Sequence, residues 1–500
     1  MVGKLALFLF AVAAVGGESR GPFDGAWLFD DAPPYPGVTL MEIATHGGRT
    51  TGTITTTWYG PMVMHNVKVD GDVATFDLRN VNDNANPTRR WVARLGTGKM
   101  TLTGDIWSTH AEQTGRRGTS AEAAARTFRL AQLPPAGTLK PDGLAATPPM
   151  GWSSWNKFAD AIDDRTVRAM ADWMVSSGLR AAGYVYLNID DGWQGDRDAT
   201  GHLQPNGKFP DMKALADYLH ARGLKLGIYS SPGPKTCAGY TGSYGHVAQD
   251  AQTFAEWGVD YLKYDLCSGE WFYSDADSVR RAYFEMGTAL QASGRPIIYS
   301  LCEYGRFDVG AWGRDVGGHL WRTSGDITDD YHTMARIGFE KNGNPIHAGP
   351  GGWNDPDMLE VGNGGMSTDE YKTHMTLWAM SAAPLLMGHD LRTTRASELA
   401  LLTNREVIAI DQDAKGIQGS AVYQDGPTEI WAKALSDGAV AIALFNRGDS
   451  PAQIRLQPGD AGLSVLTSIR DLWVGADVKV DAPFNVSAHG VTLLKVRGRP

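Results

Sequence analysis

The sequence predicts an α/β fold: a (β/α)8 barrel as catalytic domain, with an antiparallel β-domain before it and an antiparallel β-sandwich after it. Three observations carry this. From Met150 to about Leu402, eight short apolar runs alternate with amphipathic helical stretches, a layout that matches a barrel of about 250 residues. The segments on either side show the period-two alternation of half-buried strands. The apolar runs also end in acidic or basic residues, at the strand ends where this fold gathers its chemistry.

The chain has 500 residues and is 42% hydrophobic, enough for two or three domains at about 100 to 200 residues each. Residues 1–20 read as a signal peptide: Lys4, an apolar run from Leu5 to Val15, then Gly16 and Gly17 before Glu18 and Arg20. The run is too short to span a bilayer, so a secreted or periplasmic product is expected.

Residues 21–133 alternate in short runs such as Gly52 to Tyr59, Val67 to Leu78 and Trp91 to Trp107, punctuated by Asp70-Gly71-Asp72. They predict a small antiparallel barrel or sandwich of unassigned role. Trp27, Trp58 and Trp91 would suit a sugar-binding face, although such residues more often fill a core. A Pro- and Gly-rich linker, 134–147, separates this region from the barrel at 148–415.

The barrel strands are expected at Gly151 to Trp155, Tyr184 to Ile189, Leu224 to Tyr229, Val259 to Tyr264, Pro296 to Leu301, His319 to Trp321, Ile346 to Ala348 and Pro384 to Met387. Val167, Met170, Ala171 and Met174 form a helical stripe, as do Met212, Leu215, Ala216 and Leu219. Gly223 and Gly258 stand where helix C-caps would. Residues 416–500 return to alternation, with Ser436-Asp437-Gly438 as a hairpin turn between two strands.

The net charge is -10 and no basic run occurs, which argues against a nucleic-acid partner. No later stretch is apolar enough for membrane insertion. The sequence carries no signal for or against a homo-oligomer. Sixteen Trp and 17 Tyr suit sugar stacking and large cores equally. Three cysteines, Cys237, Cys267 and Cys302, allow one disulfide and one free thiol. The 12 histidines form no zinc-spaced cluster, and neither metal nor cofactor is expected.

Lys263 and Asp265 stand two apart on one strand and therefore share a face. Asp190-Asp191, Cys302-Glu303, Arg322 with Asp326, and Asn354-Asp355-Pro356-Asp357 follow other apolar runs. A lone Asp at such a place is commonly a helix cap, but capping accounts for neither Lys263 nor Arg322. Carboxylates gathered with Trp152, Trp155 and Tyr229 suggest glycosidic bond hydrolysis, which uses one carboxylate as nucleophile or base and one carboxylic acid as proton donor. Lys263 is expected to keep Asp265 ionised, making it the nucleophile candidate. Asp326 is expected to be the acid, its pKa raised by partial desolvation.

Several blocks then carry a resemblance: Pro148-Pro149-Met150-Gly151-Trp152, Ile189-Asp190-Asp191-Gly192-Trp193, Gly223 to Tyr229, Lys235-Thr236-Cys237-Ala238-Gly239, Lys263-Tyr264-Asp265, and Ala348 to Met358. From Met150 to Gln418 the chain resembles the α-galactosidases and α-N-acetylgalactosaminidases of glycoside hydrolase family 27. The resemblance implies a retaining exo-hydrolase of terminal α-galactosides, with Asp265 as nucleophile and Asp326 as acid/base. It places sugar contacts on Trp155, Asp190, Asp191, Tyr229, Lys263, Glu303, Arg322 and Asp357, and a disulfide between Cys237 and Cys267.

Within that family the short acids Asp190-Asp191 and the Cys302-Glu303 pair are of the galactose type, rather than the β-L-arabinopyranoside or α-N-acetylgalactosaminide type. An isomaltose-type glucan is a further alternative. Outside the family reading, a non-catalytic sugar-binding barrel and a metal hydrolase built on Asp190, Asp191, Asp355 and Asp357 are the rivals, and Lys263 would repel a cation from the second. Two departures stand out. The first loop, Trp155 to Asp164, lacks the cysteine that in many members bridges to the position of Gly192, and Tyr304 stands where a Trp is common.

Overall fold

The computed structural model describes residues 21–30, 37–56, 60–79, 89–106, 109–126, 131–273, 275–479 and 483–499. The expected signal peptide and Trp58 lie outside them. The chain divides after Leu130 into two compact units.

The first unit is a closed barrel of eight antiparallel strands in sequence order, from Gly25–Leu28 to Thr109–Gly118, whose first and last strands pair through Ala26 and Gly118. Trp27, Met41, Ile54, Phe76, Trp91 and Leu102 are all buried. Gly104 is obligatory beside them, since a Cβ there would lie 2.2 Å from the Trp91 ring. Trp27 and Trp91 are therefore core residues and not a sugar-binding face.

The second unit is built on a parallel sheet. Its strands are β1 (Met150–Ser153), β2 (Tyr186–Asn188), β3 (Lys225–Ser230), β4 (Tyr261–Asp265), β5 (Ile298–Cys302), β6 (Leu320–Arg322), β7 (Trp353–Asp355) and β8 (Leu385–Met387). They pair in the order β7-β6-β5-β4-β3-β2-β1-β8. A bridge between Leu359 and Met387 completes the circuit, with Leu359 N–H donating to Leu386 O at 2.7 Å. Every residue of β1, β5, β6, β7 and β8 is buried, as befits a parallel sheet covered on both faces.

The helices Asp164–Ser176 and Met212–His220 bury the two expected stripes, and Asp163 and Asp211 cap them by accepting from Thr166 N–H and Ala214 N–H. Gly258 closes the helix Val247–Trp257 at φ +86°. Val259 N–H then bonds back to Phe254 O at 3.0 Å, so β4 starts at Tyr261 rather than Val259. Gly223 also has positive φ but lies beyond the C-cap residue, Ala221. Trp155 leaves β1 to begin a short helix, Trp155–Phe158.

One strand expectation is overturned. Ile346 to Ala348 is not a strand: Pro345–His347 is a 3-10 turn capped by the Asn344 side chain, and Ile346 is 79% exposed. Pro345 removes a ladder donor, and the turn through Gly349–Gly352 carries the chain on to β7 at Trp353–Asp355.

A six-stranded antiparallel sheet follows between Ser420 and Arg499, with the expected hairpin joining Thr428–Ala434 to Val440–Asn446. One face places Trp431, Ala443 and Phe445 in the same core as the barrel helices. The other face packs Ile430, Ile442 and Leu494 with Ile454 and Val486 of a two-stranded sheet.

Candidate active site

The C-terminal ends of the barrel strands converge on one group of charged side chains. On β4, Tyr261, Leu262 and Tyr264 are buried and Lys263 is half-buried between them. Lys263 Nζ reaches Asp190 Oδ2, beyond the end of β2, at 2.9 Å. Burial works against the lysine charge, but Asp190 and Asp265 outweigh it and raise its pKa.

Asp190 is seated by its neighbours: Ser154 Oγ accepts from its N–H at 2.9 Å and Ser153 Oγ lies 3.4 Å from Oδ2. The Asp191 carboxylate accepts from Ala238 N–H at 2.7 Å and Gly192 N–H at 2.9 Å. Burial nevertheless pushes its pKa up to about 7. None of these acids caps a helix.

Asp265 ends β4 and is 5% exposed. Its Oδ1 accepts from Tyr304 Oη at 2.6 Å. The expectation that Lys263 keeps its pKa low is corrected: burial is the largest influence and raises it, Lys263 and Tyr304 oppose, and Asp326 and Asp190 add to the rise. The desolvation of a carboxylate at the base of the site exceeds what an ammonium already paired with Asp190 returns.

Arg322 ends β6, 2% exposed. Its Nη2 contacts Asp357 Oδ2 at 3.0 Å, Asp326 Oδ1 at 3.1 Å and Ser324 O at 3.1 Å. The Asp326 side chain is 66% exposed. The expected rise in its pKa is also corrected, because Arg322 and Lys263 outweigh partial desolvation and lower it. Asp357 has φ +91°, a backbone conformation that L-residues seldom adopt. Its Oδ2 also accepts from Ile327 N–H at 2.9 Å, which ties the Asp326 loop to β7. Burial raises Asp357, and raises Asp355 to about 6.

Tyr229, at the end of β3, is buried with its hydroxyl 3.0 Å from Cys267 Sγ and Lys263 Nζ 5.2 Å from its ring centre. Cys267 is bonded to Cys237, and Cys302 is the free thiol. Glu303, beyond β5, is fully buried; neither carboxylate oxygen accepts a well-formed hydrogen bond among the described residues, and burial pushes its pKa up to about 8. Trp155 is half-buried beside Met358 and Leu386.

A small cleft is lined by Ser153, Asn188, Asp190, Lys263, Ser300, Arg322, Asp355 and Asp357, among others. It gathers four of the expected residues: Asp190, Lys263, Arg322 and Asp357. Asp265 joins the group through the field of Lys263, and Asp326 through Arg322. Asp191, Tyr229, Glu303 and Trp155 are not in its wall. Two participants carry no signal in the sequence, the Ser153 and Ser154 hydroxyls, and Tyr304, noted as standing where a Trp is common, has a contact to Asp265 that the sequence does not show.

The missing bridge to Gly192 leaves a close contact in its place, since a Cβ at Gly192 would lie 2.9 Å from Asp160 Cβ. The first loop is held by hydrogen bonds instead: Tyr240 Oη donates to Asp160 Oδ2 at 2.9 Å, and Lys208 Nζ donates to Asp160 O at 2.6 Å.

Comparison with known proteins places these features. The family model described as Alpha galactosidase A matches residues 147–413, and the Alpha galactosidase C-terminal beta sandwich domain matches residues 425–496. The α-galactosidase of Cyamopsis tetragonoloba is 49% identical over 341 residues, 67% of this chain and 82% of that protein. The crystal structure of α-galactosidase I from Mortierella vinacea superposes with a TM-score of 0.68 at 34% identity, covering 72% of this chain and 99% of its own. A Bacteroides fragilis structure, described only by resemblance as an α-galactosidase/melibiase, matches with a TM-score of 0.67 at 32% identity over 95% of this chain and 98% of its own.

Proposed function

This chain belongs to glycoside hydrolase family 27, the α-galactosidase family, and on that premise we propose that it is an exo-acting, retaining α-galactosidase with Asp265 as nucleophile and Asp326 as acid and base. The observation that carries the reading is the contrast in depth between the two carboxylates. Asp265 is 5% exposed at the end of β4, and the Asp326 side chain is 66% exposed on the loop after β6. A nucleophile must lie beneath the anomeric carbon, whereas a proton donor must meet a leaving group that departs toward solvent.

In the free protein Asp326 is paired with Arg322 and favours its charged form. A galactoside seated over it strips away water, and desolvation then favours the protonated form that the first step uses. Asp265 attacks C1 while Asp326 protonates the departing oxygen. Water then attacks C1, giving its proton to Asp326 and releasing Asp265. Two inversions leave the anomeric configuration unchanged. The two carboxyl groups and water suffice for this chemistry, without a cofactor.

Asp190 and Asp191 accept hydrogen bonds from the 4- and 6-hydroxyls of the sugar, and Lys263, Arg322 and Asp357 complete the polar wall. The family resemblance adds Trp155 and Tyr229 as contacts to the ring, although neither lines the cleft of the free protein. Each hydrogen bond to a charged group contributes about 1.5 to 3 kcal/mol, enough to separate galactose from glucose at O4. By the family resemblance, the short acids at 190 and 191 go with room for a hydroxymethyl group, and Cys302-Glu303 is of the type found in members acting on galactose rather than on a 2-acetamido sugar. The Cys237–Cys267 bond suits an oxidising compartment and supports reading residues 1–20 as a secretory leader.

A panel of 4-nitrophenyl glycosides tests the assignment. The α-D-galactoside should have a kcat/KM at least about a hundredfold above those of the α-D-glucoside, α-N-acetylgalactosaminide and β-L-arabinopyranoside. A higher value for any of those three would sink the sugar assignment.

A further inference from the structure

The turn after β5 is held in a backbone conformation that side chains rarely adopt. Tyr304, Gly305, Phe307 and Asp308 have φ of +64°, +75°, +55° and +52°. Such a run persists only where its surroundings over-determine it. Gly305 lies against the loop after β6, where a Cβ would be 2.3 Å from Thr323 O. Trp312 Nε1 donates to Phe307 O at 3.0 Å, and Arg306 is paired with Glu270 at 2.9 Å.

What this turn delivers is the Tyr304 phenol, 2.6 Å from Asp265 Oδ1, within the short range of hydroxyl donors to an ionised acceptor. Burial and the neighbouring Asp265 charge hold the phenol protonated, so it can only donate here. A Trp at this position has no hydroxyl and would not form this bond.

We propose that Tyr304 is a positioning residue of the reaction: its phenol pins Oδ1 of Asp265, presents Oδ2 to the anomeric carbon, and stabilises the carboxylate as it departs from the sugar. The proposal rests on Asp265 being the nucleophile. In the first step Oδ2 bonds to C1 while the C1–O bond breaks, its electron pair passing to the leaving oxygen, which takes the Asp326 proton. In the second, a water oxygen bonds to C1 and yields its proton to Asp326, and the C1–Oδ2 electron pair returns to Asp265. The phenol bond is strongest when the carboxylate carries full charge, so it favours the second step most.

Tyr304→Phe should therefore slow release of the galactosyl-enzyme. With an activated aryl α-galactoside, kcat should fall about ten- to a hundredfold. KM should fall with it, and a burst of phenol should precede the steady state. The acid limb of kcat/KM should move to higher pH, because a donor to the ionised form is lost while Lys263, Asp190, Asp326 and Tyr229 still face Asp265. A purely structural role would move neither the burst nor the limb.

Tyr304→Trp, which lacks the phenol but keeps a large ring, is read in the same way and decides the matter if Tyr304→Phe melts early. Labelling wild type with a fluorinated galactosyl fluoride and mapping the peptide separates the two layers. A label on any residue but Asp265 removes the nucleophile reading and the proposal with it. A label on Asp265, with kcat, KM and acid limb unchanged in both variants or a loss confined to a raised KM, overturns the proposal alone.

Discussion

The Lys263 ammonium lies 2.9 Å from Asp190 Oδ2 and so bridges the ends of β4 and β2 across β3, instead of pairing with Asp265 on its own strand. The Asp190 side chain is only 4% exposed, and removing one partner of such a pair leaves a buried charge unpaired, at a cost of about 3 to 5 kcal/mol. Lys263→Met should accordingly lower Tm and reduce kcat/KM on an aryl α-galactoside by about a hundredfold or more, as a hydrogen bond to a charged group is lost as well. Thermal melting alongside steady-state kinetics checks both, and an unchanged Tm would show that the ion pair is not holding the rim together.

Asp326 offers the opposite case. Its side chain is 66% exposed, so Asp326→Ala should change stability by less than about 0.5 kcal/mol. Loss of a general acid should cost about 10²- to 10⁴-fold in rate when the leaving group is a sugar. With dinitrophenyl galactoside the first step should be nearly normal, and azide should restore turnover by replacing base-assisted water. Equal losses for good and poor leaving groups would remove Asp326 from the acid role.

How far these features are legible in the sequence depends on how local their causes are. The stripe Val167, Met170, Ala171 and Met174 is readable because helical burial repeats within one segment. The acids beyond the strands are readable because barrel topology brings every strand end to one rim. β7 lies away from its expected position because the apolar Ile346 sits in an exposed turn, while the strand itself, Trp353–Asp355, carries buried polar residues. Lys263 lowers the pKa of Asp265 as expected, but burial outweighs it, and the net shifts of Asp265 and Asp326 both run opposite to expectation because burial of one and the Arg322 contact of the other exist only in the folded chain. Tyr304 needed a left-handed turn to reach Asp265, and no residue pattern announces that.

Buried carboxyls give stability a direction with pH. Glu303 is raised from 4.5 to about 8, so its contribution is complete below the unfolded value near 4.5 and is lost as pH rises toward 8. Asp191 and Glu360, both raised to about 7, act in the same sense. Tm should therefore fall between pH 5 and pH 8, and Glu303→Gln, which stays neutral, should reduce that fall. Melting curves at the two pH values decide it: a steeper fall in the variant would contradict the assignment.

The Cys237–Cys267 bond joins residues 30 apart and touches Tyr229 and Tyr304 through its two sulfurs. Disulfides of this kind contribute about 2 to 4 kcal/mol, and Cys237 is exposed to reductant. Dithiothreitol should lower both Tm and kcat, and the Cys237→Ser, Cys267→Ser double variant should be insensitive to it. Activity in the double variant equal to wild type would show that the bond does not support the site.

The account as a whole turns on two displacements at one anomeric carbon, the first by Asp265. A proton NMR time course of an aryl α-D-galactoside with wild-type protein follows that carbon directly. The account predicts α-galactose as the first product, with the β anomer growing in only as mutarotation proceeds. β-Galactose appearing first would contradict it.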